Sequence, residues 1–214
     1  LPLFYLIGKT IQDKNKTVNK IKSGLALTCG IYLACAIIII LFAKQLVTAM
    51  AQNPDTIDAT VSYIRFEMVA AILIGPVKFM MVVFILLNYR KHIYALLSIQ
   101  MILSIVLDSL LLSELDISMN LGVNGIAYSN IIVYSTMLIY IMYIFCKNYE
   151  IKISEFNKGY DYAWVTSWIK VGKYSGLDSF IRNFFYLIFI VRMMNVISEQ
   201  GTYWVANGFI WGWL

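Results

Sequence analysis

One acidic residue lies deep inside an apolar stretch of the sequence. Asp108 is surrounded by Ile, Leu, Val and Met, and Ser104 stands four residues before it. A carboxylate at the centre of a membrane-spanning helix costs about 2.5–3.5 kcal/mol on insertion scales, so it should face a cavity or a partner. A proton, a cation or hydrogen bonds can each stabilise it. Asp108 is therefore predicted to couple transport to an ion; the alternative is a structural clamp to a neighbouring helix.

Four other charged residues occur in or beside apolar runs. Asp178 and Arg182 are four residues apart, a spacing that allows an ion pair within one helix, and structural pairing is preferred to a functional role. Lys78 and Arg192 are candidates for lining a polar cavity, alone or together with Asp178 and Arg182.

Three polar residues and one proline have simpler interpretations. Pro76 follows a glycine inside an apolar run and allows a kink or hinge. Arg65 and Glu67 are expected to reach the outer membrane interface with their long side chains. His92 is the single histidine, and we expect it to be solvated in a short basic turn.

Composition excludes several classes of protein. The 214 residues are 60% hydrophobic and 14% charged, with a mean hydropathy of +0.73, whereas soluble domains carry roughly 25% charged residues. The net charge of +5 is spread between apolar runs and does not form a basic face, so nucleic acid is not an expected partner. No nucleophile–base pair, phosphate loop or metal cluster is recognisable, so we expect neither an enzyme nor a bound cofactor. The lipid bilayer is the expected environment.

The apolar runs predict an all-α, polytopic membrane protein. A bilayer core about 30 Å thick requires roughly 20 apolar residues of helix, because backbone amides find no water inside it. Four runs meet this length, a fifth is more polar, and a sixth reaches the last residue: 23–43, 63–87, 93–113, 122–145, 175–197 and 203–214. Residues 1–8 resemble the end of a preceding helix, so the chain is expected to be truncated at both ends.

Basic residues predict the orientation of these helices. Most of the 17 Lys and Arg residues lie in three alternate connections, 9–22, 88–92 and 146–174, which the positive-inside rule assigns to the cytoplasm. The opposite connections are acidic and should face outward; they contain Asp55, Asp58, Glu114, Asp116 and Glu199. The predicted location is the cell membrane.

The longest connection precedes the fifth apolar run. Residues 164–173 place Trp164 and Trp168 on one helical face and Lys170 and Lys173 on the other, which predicts a short helix lying in the membrane interface. We expect this segment to divide an amino-terminal lobe, residues 1–157, from the start of a carboxy-terminal lobe, residues 158–214.

The order of several short motifs resembles the multidrug and toxic compound extrusion (MATE) transporters, from their second to their eighth helix. The motifs that carry the resemblance are Tyr63-Ile64-Arg65, Ile105-Val106-Leu107-Asp108, Leu121-Gly122-Val123-Asn124-Gly125-Ile126-Ala127, Gly172, Ser175-Gly176-Leu177-Asp178 and Tyr203-Trp204-Val205-Ala206. The third motif is the most telling, and nearly the whole chain is covered.

This resemblance implies a fold of two six-helix lobes and export driven by Na⁺ or H⁺ through alternating access. Asp108 matches an aspartate that helps to form the family's amino-terminal cation site. Ser104 and Asn130 stand where that site usually has Asn and Thr. Arg182 occupies the place of an acidic residue of the seventh helix. A Gly-rich basic motif is replaced by residues 88–92, which suggests a divergent branch with a substrate other than drugs.

We therefore expect a monomeric antiporter that exports organic cations, drugs or similar amphiphilic metabolites. A flippase for lipid-linked sugars is the close alternative, because Lys78, Arg182 and Arg192 could bind phosphate in a central cavity. A membrane-embedded enzyme or a receptor is a second alternative. The sequence leaves the substrate and the coupling ion open.

Overall fold

The computed structural model describes residues 7–8, 10, 13–113, 118–149, 160 and 162–213, and this part of the chain contains helices and no strand. The α-helices are α1 (Lys14–Ala49), α2 (Ile57–Leu86), α3 (Arg90–Leu111), α4 (Val123–Tyr149), α5 (Ala163–Phe185), α6 (Arg192–Ile197) and α7 (Gln200–Trp213). The 3₁₀ turn Pro54–Thr56 precedes α2, and the π-helical segment Tyr186–Val191 joins α5 to α6.

Five helical stretches of the described chain are long and apolar enough to cross a membrane. They coincide with the five predicted runs, so the prediction of an all-α, multi-pass membrane protein is confirmed. Residues 203–213 of the last predicted run fall within α7, of 14 residues, and residue 214 lies outside the described residues. The two-lobed MATE-like arrangement stays a prediction, and residues 114–117 and the lobe boundary at 157/158 lie outside the described residues.

The helices extend beyond the predicted apolar runs. The 36 residues of α1 span about 54 Å at 1.5 Å per residue, well above the roughly 30 Å of a bilayer core. Asp13 caps the first turn, because its side chain accepts a hydrogen bond from the Lys16 amide at 3.2 Å. Most of the basic connection 9–22 is therefore helical.

Helix α2 lies at the centre of the bundle and packs against α1 on one side and α4 on the other, while α3 packs against α4. The buried core between α2, α3 and α4 consists of aliphatic, methionine and phenylalanine side chains. Its members include Val77, Met80, Val83, Phe84, Leu96, Val133, Met137, Ile141 and Phe145. This core fixes the rotation of α2 and α4 about their axes, and hence which side chains face each other nearer the other end of the bundle.

Two glycines allow α1 and α2 to approach closely. A Cβ atom on Gly75 would lie 2.6 Å from Cγ of Tyr32, and one on Gly24 would lie 2.7 Å from Cζ of Phe79. Small residues serve this purpose where membrane helices pack. Helix α2 remains continuous through Pro76, so the proline predicted to allow a hinge lies in a tightly packed part of the helix.

The α5–α6 stretch touches the first four helices at its two ends. Nε1 of Trp164 donates to Oγ of Ser23 at 2.9 Å, and Nδ2 of Asn195 donates to the Met50 carbonyl at 2.8 Å. Because Ser23 and Trp164 lie near the starts of their helices and Met50 and Asn195 near the ends, α1 and the α5–α6 stretch run in the same direction. Successive helices that cross the membrane in alternating directions would likewise make the first and the fifth span parallel.

The segment predicted as a separate interfacial helix, residues 164–173, is the first part of the continuous helix α5. Trp164 was expected to anchor it in the interface, but its side chain is buried beside Gly24. The exposed residues on this segment include Lys170 and Lys173. Hydropathy does not distinguish an indole that meets lipid headgroups from one that packs against a neighbouring helix.

Candidate functional site

A carboxylate and a carboxamide meet between two of the spanning helices. Nδ2 of Asn130, on α4, lies 3.1 Å from Oε1 and 3.0 Å from Oε2 of Glu67, on α2. Both residues are partly buried. The amide therefore donates to both oxygens of one carboxylate inside the bundle, and we call this arrangement the Glu67–Asn130 pair.

The packing of α2 against α4 positions this pair. The two helices run in the same direction, because successive contacts advance together along both: Ser62 meets Asn124 and, further along, Glu67 meets Asn130. Between them the rings of Phe66 and Tyr128 lie 5.0 Å apart, centroid to centroid. Polar and aromatic contacts thus alternate along one seam of the bundle.

Two tyrosines adjoin the Glu67–Asn130 pair. Tyr63 precedes Glu67 by four residues and Tyr134 follows Asn130 by four, so each lies one turn away on the same helix face. Both are half-buried and lie close enough to Glu67 to interact with it electrostatically. The carboxylate is therefore surrounded by groups that can donate hydrogen bonds.

No cationic side chain neutralises Glu67 within the described part of the chain. The ion pairs found there join Lys16 to Asp13, Lys44 to Asp58 and Arg182 to Asp178. An ionised carboxylate in a spanning helix is costly unless it is paired. Hydrogen bonds to a neutral amide supply only part of that compensation.

A second polar contact lies further towards the start of both helices. Nδ2 of Asn124 donates to Oγ of Ser62 at 3.3 Å, whereas the buried Oδ1 of Asn124 has no partner among the described residues. Gly122, at φ +59°, lets the chain turn into α4. A Cβ on Gly125 would lie 3.2 Å from the Leu111 carbonyl. Gly122 thus permits the turn and Gly125 permits close packing, while Asn124 presents an open acceptor.

The predicted coupling residues are not all brought together. Asp108 is exposed on α3 and Ser104, one turn earlier, is half-buried. Asn130, predicted to belong with them, binds Glu67 instead. Within the described residues the Asp108 side chain forms no hydrogen bond or ion pair. Its coupling role stays a prediction, as does that of Ser104.

The predicted cavity-lining residues are placed separately. Asp178 and Arg182 form the expected ion pair within α5, and both side chains are exposed. Lys78 is exposed on α2, and Arg192 is exposed at the start of α6. No contact joins Lys78 or Arg192 to the pair in the described structure, so whether these residues share a cavity stays a prediction.

His92 is not a solvated loop residue. It lies in the first turn of α3, is partly buried, and its Nδ1 is 2.9 Å from the hydroxyl oxygen of Tyr140 on α4. The rings of Phe84 and Tyr89 are within 6.2 Å of the imidazole. The basic residues around it suggested solvent, but α3 begins at Arg90 and turns His92 towards α4.

Glu67 was the residue whose setting the sequence did not reveal. Counting the span from residue 63 placed it one turn from the outer interface. Helix α2 begins at Ile57, so Glu67 lies about 15 Å from its start, and the expected position of its side chain near the outer interface stays a prediction. In the sequence, this site is indicated only by one acid with a tyrosine one turn before it, at Tyr63. The contributions of Asn130 and Tyr134 become visible only when the register between α2 and α4 is known.

No family model matches the chain, and neither a curated protein nor a solved structure matches it. The resemblance to MATE transporters therefore rests on the short motifs quoted above.

Proposed function

We propose that the protein is a secondary antiporter that uses Na⁺ or H⁺ to export organic cations, drugs or similar amphiphilic metabolites by alternating access. The observation that carries this proposal is the Glu67–Asn130 pair, which lies between two helices whose buried core is apolar. Polar and ionisable groups inside membrane helices are expensive and commonly mark ion or substrate pathways.

The contacts of α5 and α6 agree with this function. Hydrogen bonds hold this stretch to the first bundle at its two ends, at Ser23–Trp164 and Met50–Asn195. Between these ends the apolar faces of α1 and α5 are largely exposed. Alternating access requires two units that stay connected while the contacts at one end open, and a single hydrogen bond at each of these ends suits that requirement.

The flippase alternative is less well supported. A cavity for a lipid-linked sugar phosphate needs uncompensated cationic groups. Arg182 is already paired with Asp178, which leaves Lys78 and Arg192 on separate helices as the remaining cations of the predicted set.

Asp108 is the proposed coupling residue, and its neutralisation tests the antiporter function. In the full-length protein, reconstituted in vesicles, Asp108→Asn should reduce ion-driven efflux of a fluorescent organic cation at least tenfold, because the coupling ion loses its anionic ligand. The matched control is Asp55→Asn, which neutralises an exposed acid within the 3₁₀ turn. Efflux that still follows the ion gradient in Asp108→Asn would reject the role of Asp108. No gradient-driven efflux in the unaltered protein, for organic cations of several sizes, would reject the antiporter.

A further inference from the structure

We propose that Glu67 is a proton-binding site inside the bundle, held in place by Asn130 and separate from Asp108. The binding and release of the proton follow from the geometry of the pair alone. Only its coupling to export rests on the proposed antiporter function.

No positively charged side chain of the described residues is paired with Glu67, so a proton is the group that can neutralise its carboxylate. On its own helix Tyr63 interacts electrostatically with Glu67, and on α4 Tyr134 does so. Arg65, two residues before Glu67, is exposed and forms no ion pair with it among the described residues. On α1, Lys44 is engaged with Asp58 at 3.9 Å. On α3 the acid within the span is the exposed Asp108, while Arg90, Lys91 and His92 lie at the start of the helix. None of these supplies a positive charge to the carboxylate. A group in such a setting trades its charge for a proton more readily than one held by Lys or Arg.

Asn130 is suited to both protonation states of Glu67. With the carboxylate ionised, Nδ2 donates to both oxygens, at 3.1 and 3.0 Å. When one oxygen is protonated, its O–H can donate to Oδ1 of the same amide after a half-turn of the side chain, since a carboxamide is both donor and acceptor. A Lys partner would stabilise only the ionised state. Glu67 therefore keeps a hydrogen bond to Asn130 in both its protonated and its ionised state.

The same geometry is unfavourable for a metal ion. Hard cations need several oxygen ligands around one point. Here the donor group Nδ2 of Asn130 lies against both carboxylate oxygens, in the position that a cation held by both oxygens would occupy. A proton binds to a single carboxylate oxygen and does not displace the Asn130 side chain.

A polar step towards the start of the helices can pass the proton on. The Ser62–Asn124 contact lies five residues before Glu67 on α2, about 8 Å along the axis. The unpartnered Oδ1 of Asn124 is an acceptor there. A hydroxyl and an open acceptor are the groups that a water-mediated proton path requires.

Infrared difference spectroscopy of the full-length protein tests the proposal. A spectrum recorded at acidic minus neutral pH should contain the carbonyl stretch of a protonated carboxyl group in an apolar setting. Glu67→Gln should remove this band, and Asp108→Asn should retain it. Asn130→Ala should shift its frequency, because the hydrogen-bond partner is lost, and Asn130→Gln should restore part of the shift. A purely structural role of Asn130 would alter stability without moving the band.

The proposal is overturned if Glu67→Gln and the unaltered protein give the same difference spectrum. If Glu67→Gln does not fold, Glu67→Asp retains a carboxyl group and decides the matter: a displaced band supports the proposal and an unmoved band rejects it. Efflux is measured separately on the same preparations. A Glu67 band in a protein without ion-driven efflux would support the proton site and reject the antiporter. Ion-driven efflux without a Glu67 band would support the antiporter and reject the proton site.

Discussion

Individual contacts decide how closely the first two helices approach. At Gly75 the missing side chain leaves room for the ring of Tyr32, and at Gly24 it leaves room for the ring of Phe79. An aromatic ring against a bare backbone gives dispersion contacts that lipid tails cannot match in the same place. Pro76 lies next to this contact, which explains how a helix with an internal proline remains continuous and buried.

The contact at Gly75 makes a direct prediction. In Gly75→Ala the new Cβ would lie 2.6 Å from the Tyr32 ring, and overpacking of this kind lowers stability by about 1–3 kcal/mol. Gly30→Ala is the matched control on α1, because nothing lies within 4 Å of its Cβ position. Unfolding of the full-length protein in detergent measures both changes. Equal stability of the two variants would show that Tyr32 does not occupy this space, and Tyr32→Ala should rescue Gly75→Ala.

Among the elements, α1 shows how the first turn of a long helix is stabilised. Asp13 accepts a hydrogen bond from the Lys16 amide and forms an ion pair with its Nζ at 3.2 Å. The hydrogen bond from that amide, followed by the side-chain contact of Lys16, holds the pKa of the Asp13 carboxyl below its ordinary value of 3.8. The first turn of α1 is thereby stabilised while Asp13 is ionised.

The pH dependence of this turn follows from the sign of the shift. A carboxyl whose folded pKa is lowered contributes stability above its unfolded pKa, and that contribution is lost as pH falls through the folded pKa. The first turn of α1 should therefore open progressively below pH 3.8. Hydrogen-exchange protection factors of the peptide that includes Lys16 and Thr17 measure this opening. Asp13→Asn keeps a capping oxygen but cannot ionise, so an identical pH dependence in this variant would contradict the assignment.

The end of the bundle at which α1 begins also carries a contact between helices. His92 and Tyr140 join the start of α3 to α4 at 2.9 Å, and the aromatic rings of Phe84 and Tyr89 enclose the imidazole. The seam between α2 and α4 contains the carboxylate–amide contact of Glu67 with Asn130, whereas α3 and α4 are joined through a histidine at the start of α3. These two polar contacts hold α2, α3 and α4 in position, whereas dispersion contacts alone would allow the helices to rotate about their axes.

For the whole molecule, the open question is which side of the membrane each end faces. Lys16, Arg90 and Lys147 lie at one end of the bundle and Asp55 and Glu199 at the other, given the directions of α1 to α5. The positive-inside rule places the basic end in the cytoplasm, and this orientation in the cell membrane remains our prediction.

Cysteine labelling tests the orientation. Cys29, Cys35 and Cys146 are free thiols and would first be replaced by Ala. In intact cells a membrane-impermeant thiol reagent should then label Asp55→Cys and Glu199→Cys, while Lys16→Cys and Arg90→Cys should react only after permeabilisation. The reverse pattern would invert the orientation. Labelling of all four positions from one side would contradict the alternating crossings.

The sequence by itself determined the class of this protein and its spanning segments. Hydropathy and length are properties of one segment at a time, and a bilayer forces an apolar segment of sufficient length to be helical whatever its neighbours are. The ion pair of Asp178 with Arg182 was equally accessible, because a spacing of four residues places both on one helix face.

Only the tertiary structure decided which polar groups meet. Asn130 was assigned to Asp108 but binds Glu67, Trp164 was assigned to the interface but packs against Ser23, and His92 left the predicted loop for Tyr140. Each of these contacts joins residues 48 or more positions apart. Such pairs depend on where each helix begins, how it is rotated and which helix lies beside it, and these are set by packing between helices.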